Sequence, residues 1–288
     1  MRLKLLTPFG VELEGFTYRT ASAADREAFE ASFRKYSLVL IRDTELTAQE
    51  QIQLMSRLGP VAKEVPGGGL VNYIAHDPEH ILPPGTAGPA EFGQGGLNFH
   101  FDMAYTPDWP QWMASLYGVR VPTRDGHTLF RHCGRIYANL DETTKKAVAG
   151  RKAIHIFDTG RARARECTVR KVCFRSSHPL VRAHPYGGGD VLTACEQDTD
   201  RIVGMKPENS ERILNELFEA LANPAEVLAI QWRIGDLVIW DNRVVQHARR
   251  DFDPAEPRIL RRVGCGDERM ILLHMQNEID QIHTPAVD

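Results

Sequence analysis

The chain has 288 residues, and its 35 lysines and arginines nearly balance 38 aspartates and glutamates. This balance gives no long-range field suited to nucleic acid or to an anionic membrane surface, and it favours a small-molecule partner. No apolar run reaches the length of a membrane span, and the N-terminal segment stops being apolar too early for a signal peptide. The five cysteines are scattered and form no Cys-x-x-Cys, which favours a cytoplasmic protein over a disulfide framework or a zinc finger.

The first 60 residues predict alternating strands and helices. Ser22 is a suitable helix N-cap, and Thr47 with Glu50 has the spacing of a capping box. The predicted elements are two short strands within 3–16, a helix over 23–35, a buried strand over 37–42 and a helix over 48–58.

Short strands dominate the rest of the chain. We predict strands over 111–121, from Thr128 onward, over 152–157, 178–193 (a hairpin), 225–232, 237–240 and 258–263, and helices over 136–148, with a break near Asp141, and 210–222. Close spacing of strands and few helices predict a mainly β protein with flanking helices, folded as an antiparallel barrel or jelly roll. We expect a single domain, 1–288, with insertions near 64–98 and 158–176.

Both insertions have two interpretations. Residues 64–98 are rich in glycine and proline and show little periodicity, so most of the segment is predicted as loop. It is either a lid over a substrate or a simple surface excursion. The basic residues between Arg161 and Arg175 indicate either a solvated segment or an anion-attracting rim over the site.

The stretch around His100 and Asp102 carries the first chemical signal. If the segment is a strand, these two side chains lie on one face, because residues i and i+2 of a strand point the same way. One imidazole and one carboxylate make half a metal site. Downstream, an apolar strand-like run from Asp236 leads to His247 just beyond a polar turn. Two histidines and a carboxylate leave three positions of an octahedral ion open, as a non-haem Fe(II) oxygenase requires.

The next predicted strand carries arginines. Arg258 and Arg262 are four residues apart and therefore share a face, whereas Arg261 lies on the other. An inward guanidinium near a metal needs an acidic partner, because an unpaired buried charge is costly. A dicarboxylate co-substrate that chelates the iron at one end and meets Arg262 at the other would be that partner, and Thr128 could add a hydroxyl.

Several of these stretches occur together in a known family. They are His100-x-Asp102, Gly126-His127-Thr128-Leu129-Phe130, Trp240-Asp241-Asn242-Arg243 with His247, and the pair Arg258 and Arg262. In this order and spacing the chain resembles the taurine dioxygenase and 2,4-dichlorophenoxyacetate dioxygenase (TauD/TfdA) family, from about residue 10 to about residue 266.

The resemblance implies a double-stranded β-helix that uses Fe(II), 2-oxoglutarate and O2. By position, it implies that His100, Asp102 and His247 bind the iron. It also implies that Thr128 and Arg262 hold the distal carboxylate of 2-oxoglutarate, with Arg258 near the chelating end. The implied reaction oxidises, and is expected to hydroxylate, a small organic substrate as 2-oxoglutarate is decarboxylated to succinate and CO2.

The substrate is left open by the sequence. Candidates for the pocket wall are Asn98, Met103, Tyr105, His155, Phe157 and Asp198. An acid such as Asp198 in the pocket would disfavour a sulfonate and suit a cationic or hydroxylated compound, but Asp198 facing solvent is an equal alternative. Two other function classes remain: a zinc hydrolase on the same three ligands, and a non-catalytic barrel that binds 2-oxoglutarate. Family members are often dimers or tetramers, so we expect a homo-oligomer.

Overall fold

The computed structural model of this chain describes residues 1–64, 66–84, 95–156 and 175–283. Its strands are β1 (Arg2–Leu5), β2 (Val11–Glu14), β3 (Leu38–Ile41), β4 (Val61–Ala62), β5 (Asn72–His76), β6 (Leu97–His100), β7 (Gln111–Arg120), β8 (Thr128–His132), β9 (Lys152–Ile156), β10 (Arg175–Pro179), β11 (Val181–Ala183), β12 (Asp190–Leu192), β13 (Thr199–Ile202), β14 (Val227–Ile230), β15 (Leu237–Asp241), β16 (Val245–Arg249) and β17 (Arg258–Gly266). Its α-helices are α1 (Ala23–Tyr36), α2 (Ala48–Met55), α3 (Cys133–Asn139), α4 (Glu142–Val148), α5 (Pro207–Leu221) and α6 (Glu268–His283).

Two sheets form the core of the fold. The larger has the order β1-β2-β3-β15-β7-β17-β4, with β5 also paired to β17, and the smaller has the order β14-β8-β16-β6. Buried side chains from both sheets, such as Leu116 and Trp240 of the larger and Phe130 and Val245 of the smaller, belong to one apolar cluster. The facing sheets have the jelly-roll arrangement that was predicted, and the prediction of a mainly β protein is confirmed.

Helices cover the outside of the sheets. Ser22 caps α1 and Thr47 caps α2, each with the reciprocal capping-box hydrogen bonds. Phe29 and Phe33 of α1 are fully buried with Ile239 on the outer face of the larger sheet. This packing leaves the inner face of each sheet to the core and to the site described below.

Several boundaries differ from the sequence predictions. The segment 64–98 was predicted as mostly loop, but Asn72–His76 is a strand that pairs antiparallel with β17 and so extends the sheet. Helix α2 ends at Met55, not at residue 58, and α5 begins earlier than predicted because Pro207 occupies its first turn, where a missing N–H costs nothing.

Other predictions fall partly outside the described residues. Within the insertions, these undescribed stretches are residues 85–94 and 157–174. The lid, the basic rim and the single-domain organisation therefore stay predictions. Among the described residues, no helix combines the length and the apolarity needed to cross a bilayer.

Candidate active site

His100 and His247 face each other across two neighbouring strands. His100 is the last residue of β6, and its register partner in β16 is His247. Directly opposed residues of an antiparallel pair lie on the same face of the sheet, so both rings project toward the larger sheet. The ring centroids are 4.2 Å apart. The strand pairing alone therefore brings together two imidazoles that are 147 positions apart in the sequence.

Asp102 completes the cluster from the turn after β6. The alternation pattern predicts this residue within the strand, but β6 ends at His100. Asp102 Oδ1 lies 3.6 Å from His100 Nε2 and 3.7 Å from His247 Nε2. Its position is fixed by Asn242, whose Oδ1 accepts from the Asp102 backbone N–H at 2.8 Å and whose Nδ2 donates to the Asp102 carbonyl at 2.9 Å.

The three side chains fit a metal ion. One ligand atom of each lies within 4.8 Å of the others. His100 Nδ1 is 2.8 Å from the Asn98 carbonyl, which can only accept, so Nδ1 carries the proton and Nε2 keeps its lone pair for an ion. Burial, together with the charge of His100, lowers the pKa of His247 to about 3, so that its imidazole is neutral at physiological pH. Two imidazoles and one carboxylate form the facial triad typical of non-haem Fe(II) oxygenases.

Arg262 of β17 reaches Asp102 from the opposite sheet. Its Nη2 donates to Asp102 Oδ2 at 2.8 Å. Burial by itself would raise the pKa of the Asp102 carboxyl, but the positive charge of Arg262, together with interactions with the neighbouring histidines, holds it well below its usual value. Asp102 is therefore ionised, with Oδ2 bound to the guanidinium and Oδ1 directed at the two histidines.

Glu64 is the second partner of Arg262. Arg262 Nε lies 2.9 Å from Glu64 Oε2 and its Nη2 lies 2.9 Å from Oε1, a two-pronged pairing. Asn72 Nδ2 and Gln111 Nε2 also donate to the Glu64 carboxylate, at 3.1 and 2.7 Å. Glu64 thus accepts hydrogen bonds from three side chains and is as firmly held as Asp102.

Arg258 has a different environment four residues away. It is 2 % exposed, and its Nη2 and Nε donate to Thr128 Oγ1 at 3.3 Å and to the Gly126 carbonyl at 3.1 Å. No acidic side chain among the described residues pairs with it. Burial, with the nearby charge of Arg249, lowers the pKa of the Arg258 guanidinium, a cost that a bound anion would offset.

The Thr128 hydroxyl is oriented by the same contacts. Trp232 Nε1 donates to Thr128 Oγ1 at 2.9 Å, in addition to the contact from Arg258. Since both N–H groups can only donate, the oxygen uses its two lone pairs as acceptors and its own hydrogen is left to donate outward. Thr128 and Arg258 thus offer neighbouring hydrogen-bond donors that no carboxylate among the described residues occupies.

The structure changes one pairing expected from the sequence. Thr128 and Arg262 were expected to hold a distal carboxylate together, but Thr128 contacts Arg258, while Arg262 is bound to Asp102 and Glu64. The contacts do not bring that pairing together, because Nε and Nη2 of Arg262 donate to Glu64 and Asp102. The prediction that Arg258 and Arg262 share a face and Arg261 has the other is correct, since Arg261 bonds Gln51 and the Leu46 carbonyl on the α2 side.

The residues that were predicted to line the substrate pocket have different environments in the structure. Met103 packs with Ala62 and Ile271, and Tyr105 is buried. His155 is fully buried, with Nδ1 3.3 Å from the Thr199 hydroxyl. Asp198 is 1 % exposed, so the alternative in which it faces solvent is wrong. Phe157 lies outside the described residues, and Asn98 contributes its carbonyl to His100.

Sequence reasoning missed several supporting residues, namely Glu64, Asn72, Gln111, Trp232 and Asn242. Asn242 had the clearest signal, because it stands in the stretch Trp240-Asp241-Asn242-Arg243 directly after an apolar strand. Glu64 had none, since it borders a glycine-rich segment without periodicity.

A jelly roll with two histidines and a carboxylate on its inner face defines the class of mononuclear non-haem iron oxygenases. A family model described as "Taurine catabolism dioxygenase TauD, TfdA family" matches residues 2–263. The chain belongs to this family. The predictions of an Fe(II)- and 2-oxoglutarate-dependent dioxygenase and of its jelly-roll fold are thereby confirmed.

Individual relatives agree with this assignment. The chain is 25% identical to an (S)-phenoxypropionate/alpha-ketoglutarate-dioxygenase of Sphingobium herbicidovorans, covering 88% of this chain and 90% of the relative. It is also 25% identical to an alpha-ketoglutarate-dependent sulfate ester dioxygenase of Pseudomonas putida, covering 90% and 87%. The crystal structure of a taurine dioxygenase from Burkholderia xenovorans superposes with a TM-score of 0.73 at 25% identity, over 92% of this chain and 91% of that one.

Proposed function

We propose that His100, Asp102 and His247 bind the iron, and that Arg258 with Thr128 binds the distal carboxylate of 2-oxoglutarate, in an enzyme that hydroxylates a small organic substrate. The observation that carries the proposal is the pair of sites on the inner faces of the two sheets. One is a three-ligand cluster with ligand atoms within 4.8 Å of one another, and the other is a buried guanidinium without an acidic partner in the described part of the chain.

The iron, when bound, supplies the activation of dioxygen that couples decarboxylation of 2-oxoglutarate to oxidation of the substrate. The chain's own residues position the reactants. Asn98 and Asn242 hold His100 and Asp102 in place through their hydrogen bonds. Arg258 gives charge complementarity to a carboxylate, and the Thr128 hydroxyl adds one directed donor. The buried position of His100 and His247, 9 % and 8 % exposed, limits access of water.

Anaerobic titration with Fe(II) and 2-oxoglutarate tests the assignment. The wild type should develop a weak visible charge-transfer band, and Asp102→Ala should not. Arg258→Met should need about 100-fold more 2-oxoglutarate to reach half the signal, because truncating one partner of a buried charged pair costs 2–5 kcal/mol. Lys152→Met, at an exposed position of β9, is the matched control and should behave as the wild type.

Two outcomes would contradict the proposal. A band that persists in Asp102→Ala would remove that residue from the metal site, and an unchanged 2-oxoglutarate requirement in Arg258→Met would remove the arginine from the co-substrate site. Zinc in the isolated protein, with hydrolysis but no succinate release, would support the alternative of a zinc hydrolase. Tight binding of 2-oxoglutarate without oxygen uptake across a broad substrate panel would support the non-catalytic barrel.

We also propose a homo-oligomer located in the cytoplasm. The edge strand β1 exposes Leu3 and Leu5, which is an apolar surface next to unpaired strand backbone, and this supports association through the edge of the larger sheet. Cys133, Cys195 and Cys265 are buried free thiols, which a reducing compartment maintains. Light scattering on a gel-filtration column tests the first statement: a monomer at micromolar concentration would contradict it. Fractionation of the source cells tests the second.

A further inference from the structure

The two inward arginines of β17 differ in charge balance. Arg258 has no acidic partner among the described residues and is available for an anion. Arg262 already faces two carboxylates, Asp102 and Glu64, at 2.8 and 2.9 Å. The guanidinium nearest the metal ligands therefore has no unused charge for a further anion.

Burial and local packing hold the Glu64 side chain in this position. The side chain of Glu64 is 10% exposed and that of Arg262 is 12% exposed, so neither charge is screened well by solvent. Gly264 provides the necessary space, because a Cβ there would lie 2.3 Å from Glu64 Oε1 and 2.4 Å from Gln111 Nε2. A carboxylate held by three donors, with a glycine beneath it, is a fixed component of the site.

The other nearby charges in the described part of the chain do not offer a replacement cation. Arg249 lies opposite Thr128 in the strand register, on the Arg258 side, and its Nε donates to the Gly95 carbonyl. Asp198 is buried, and its negative charge acts on His100. Among the described residues, a substrate bearing a carboxylate or sulfate near the metal ligands would thus meet carboxylates and no free guanidinium, an arrangement that disfavours an anion by repulsion.

Two relatives are named for substrates that carry an anionic group. A phenoxypropionate and a sulfate ester are both anions at neutral pH. We propose that Glu64 is a specificity-determining residue of this chain: by occupying Arg262 it restricts the substrate to compounds that have no anionic group beside the iron, neutral or cationic ones. This inference rests on the proposed function, since it takes Arg258 as the 2-oxoglutarate site.

Isothermal titration calorimetry with matched ligands tests the proposal. The protein is first loaded with Mn(II) and N-oxalylglycine, an unreactive analogue of 2-oxoglutarate, so that Arg258 is occupied. The probes are 2-phenoxypropionate, hexyl sulfate and the uncharged 2-phenoxypropionamide, applied to the wild type, to Glu64→Gln and to Glu226→Gln. The last variant is the control, because it removes a carboxylate paired with an arginine, Arg135, away from the site.

Glu64→Gln should bind the two anions at least about tenfold more tightly than the wild type does, with little change for the amide. Glu226→Gln should match the wild type. Equal anion affinity in Glu64→Gln and the wild type, including no measurable binding by either, overturns the proposal, as does a wild type that prefers the acid to the amide. If Glu64→Gln does not fold, Glu64→Met, which removes the same charge, serves the same comparison with the same expected gain.

The loading step distinguishes a failure of the proposed function from a failure of the role proposed for Glu64. Failure to bind Mn(II) and N-oxalylglycine contradicts the proposed function itself. Normal loading without a change in anion affinity contradicts only the role of Glu64.

Discussion

The Arg262 guanidinium donates a hydrogen bond to Asp102 Oδ2 at 2.8 Å, and it also donates to the Glu64 carboxylate. Arg262 therefore connects Asp102, a proposed iron ligand beside the smaller sheet, with Glu64, a buried carboxylate next to β4. Since all three groups are largely buried, their energies are coupled, and a change at one should be felt at the others.

Arg262→Met should uncover this coupling. It leaves Glu64 as a buried carboxylate without a cation, so we expect the free energy of unfolding to fall by about 3–5 kcal/mol. Replacing both partners, Arg262→Met with Glu64→Leu, removes the stranded charge and should recover more than half of that loss. Urea unfolding of the metal-free proteins measures both values, and losses that simply add in the double variant would contradict the coupling.

Asn242→Ala should weaken metal binding without touching a ligand. The amide holds both backbone groups of Asp102 and also donates to the Gln111 carbonyl at 2.9 Å. Loss of such a support typically lowers metal affinity about 10–100-fold. Competition with a chelator measures the affinity, and Asn139→Ala, which removes a surface amide bonded to Glu226, is the control. Equal affinity in the two variants would mean that Asp102 needs no orientation by Asn242.

Much of the site follows from strand periodicity. The arrival of His247 after an apolar strand and the opposite facing of Arg261 depend on local side-chain alternation, which a sequence displays directly. Asp102 is an exception, because it lies in the turn after β6 and is positioned by Asn242. The capping boxes at Ser22 and Thr47 are equally local, and both helices begin where they were predicted.

The remaining features depend on how distant strands are staggered. β17 and β8 belong to different sheets, and their relative placement decides whether Thr128 meets Arg258 or Arg262. No local sequence pattern encodes this placement. Glu64 becomes a buried partner only because β4, β5 and β17 pair around it. Its own sequence neighbourhood, rich in glycine, carries no sign of burial.

Gly264→Ala should destabilise the protein through the Glu64 contacts. The added methyl would lie 2.3 Å from Glu64 Oε1, closer than atoms can approach, so the carboxylate or β17 must shift. Overpacking of this kind costs about 1–3 kcal/mol. Gly69→Ala, where the nearest atom is 3.8 Å from the new Cβ, should be nearly neutral. Thermal unfolding compares the two, and a Gly264→Ala protein as stable as Gly69→Ala would show that the Glu64 pocket yields without strain.

Buried histidines should make the metal-free protein sensitive to mild acid. Burial, with the charge of His178, lowers the pKa of His155 to about 3, whereas an unfolded chain binds the proton near pH 6.5. Between these values the unfolded state holds more protons, so stability rises with pH; it is complete above about pH 6.5 and is lost progressively as the pH falls toward 3.

His155→Gln should remove this contribution. From pH 7 to pH 5 the free energy of unfolding of the variant should decline by about 2 kcal/mol less than that of the wild type. His80→Gln, at an exposed histidine, should follow the wild-type curve. Because His247 and His132 remain in all three proteins, their own acid sensitivity cancels from the comparison. Parallel curves for His155→Gln and the wild type would mean that the buried His155 ring takes up a proton in the folded protein as readily as in the unfolded chain.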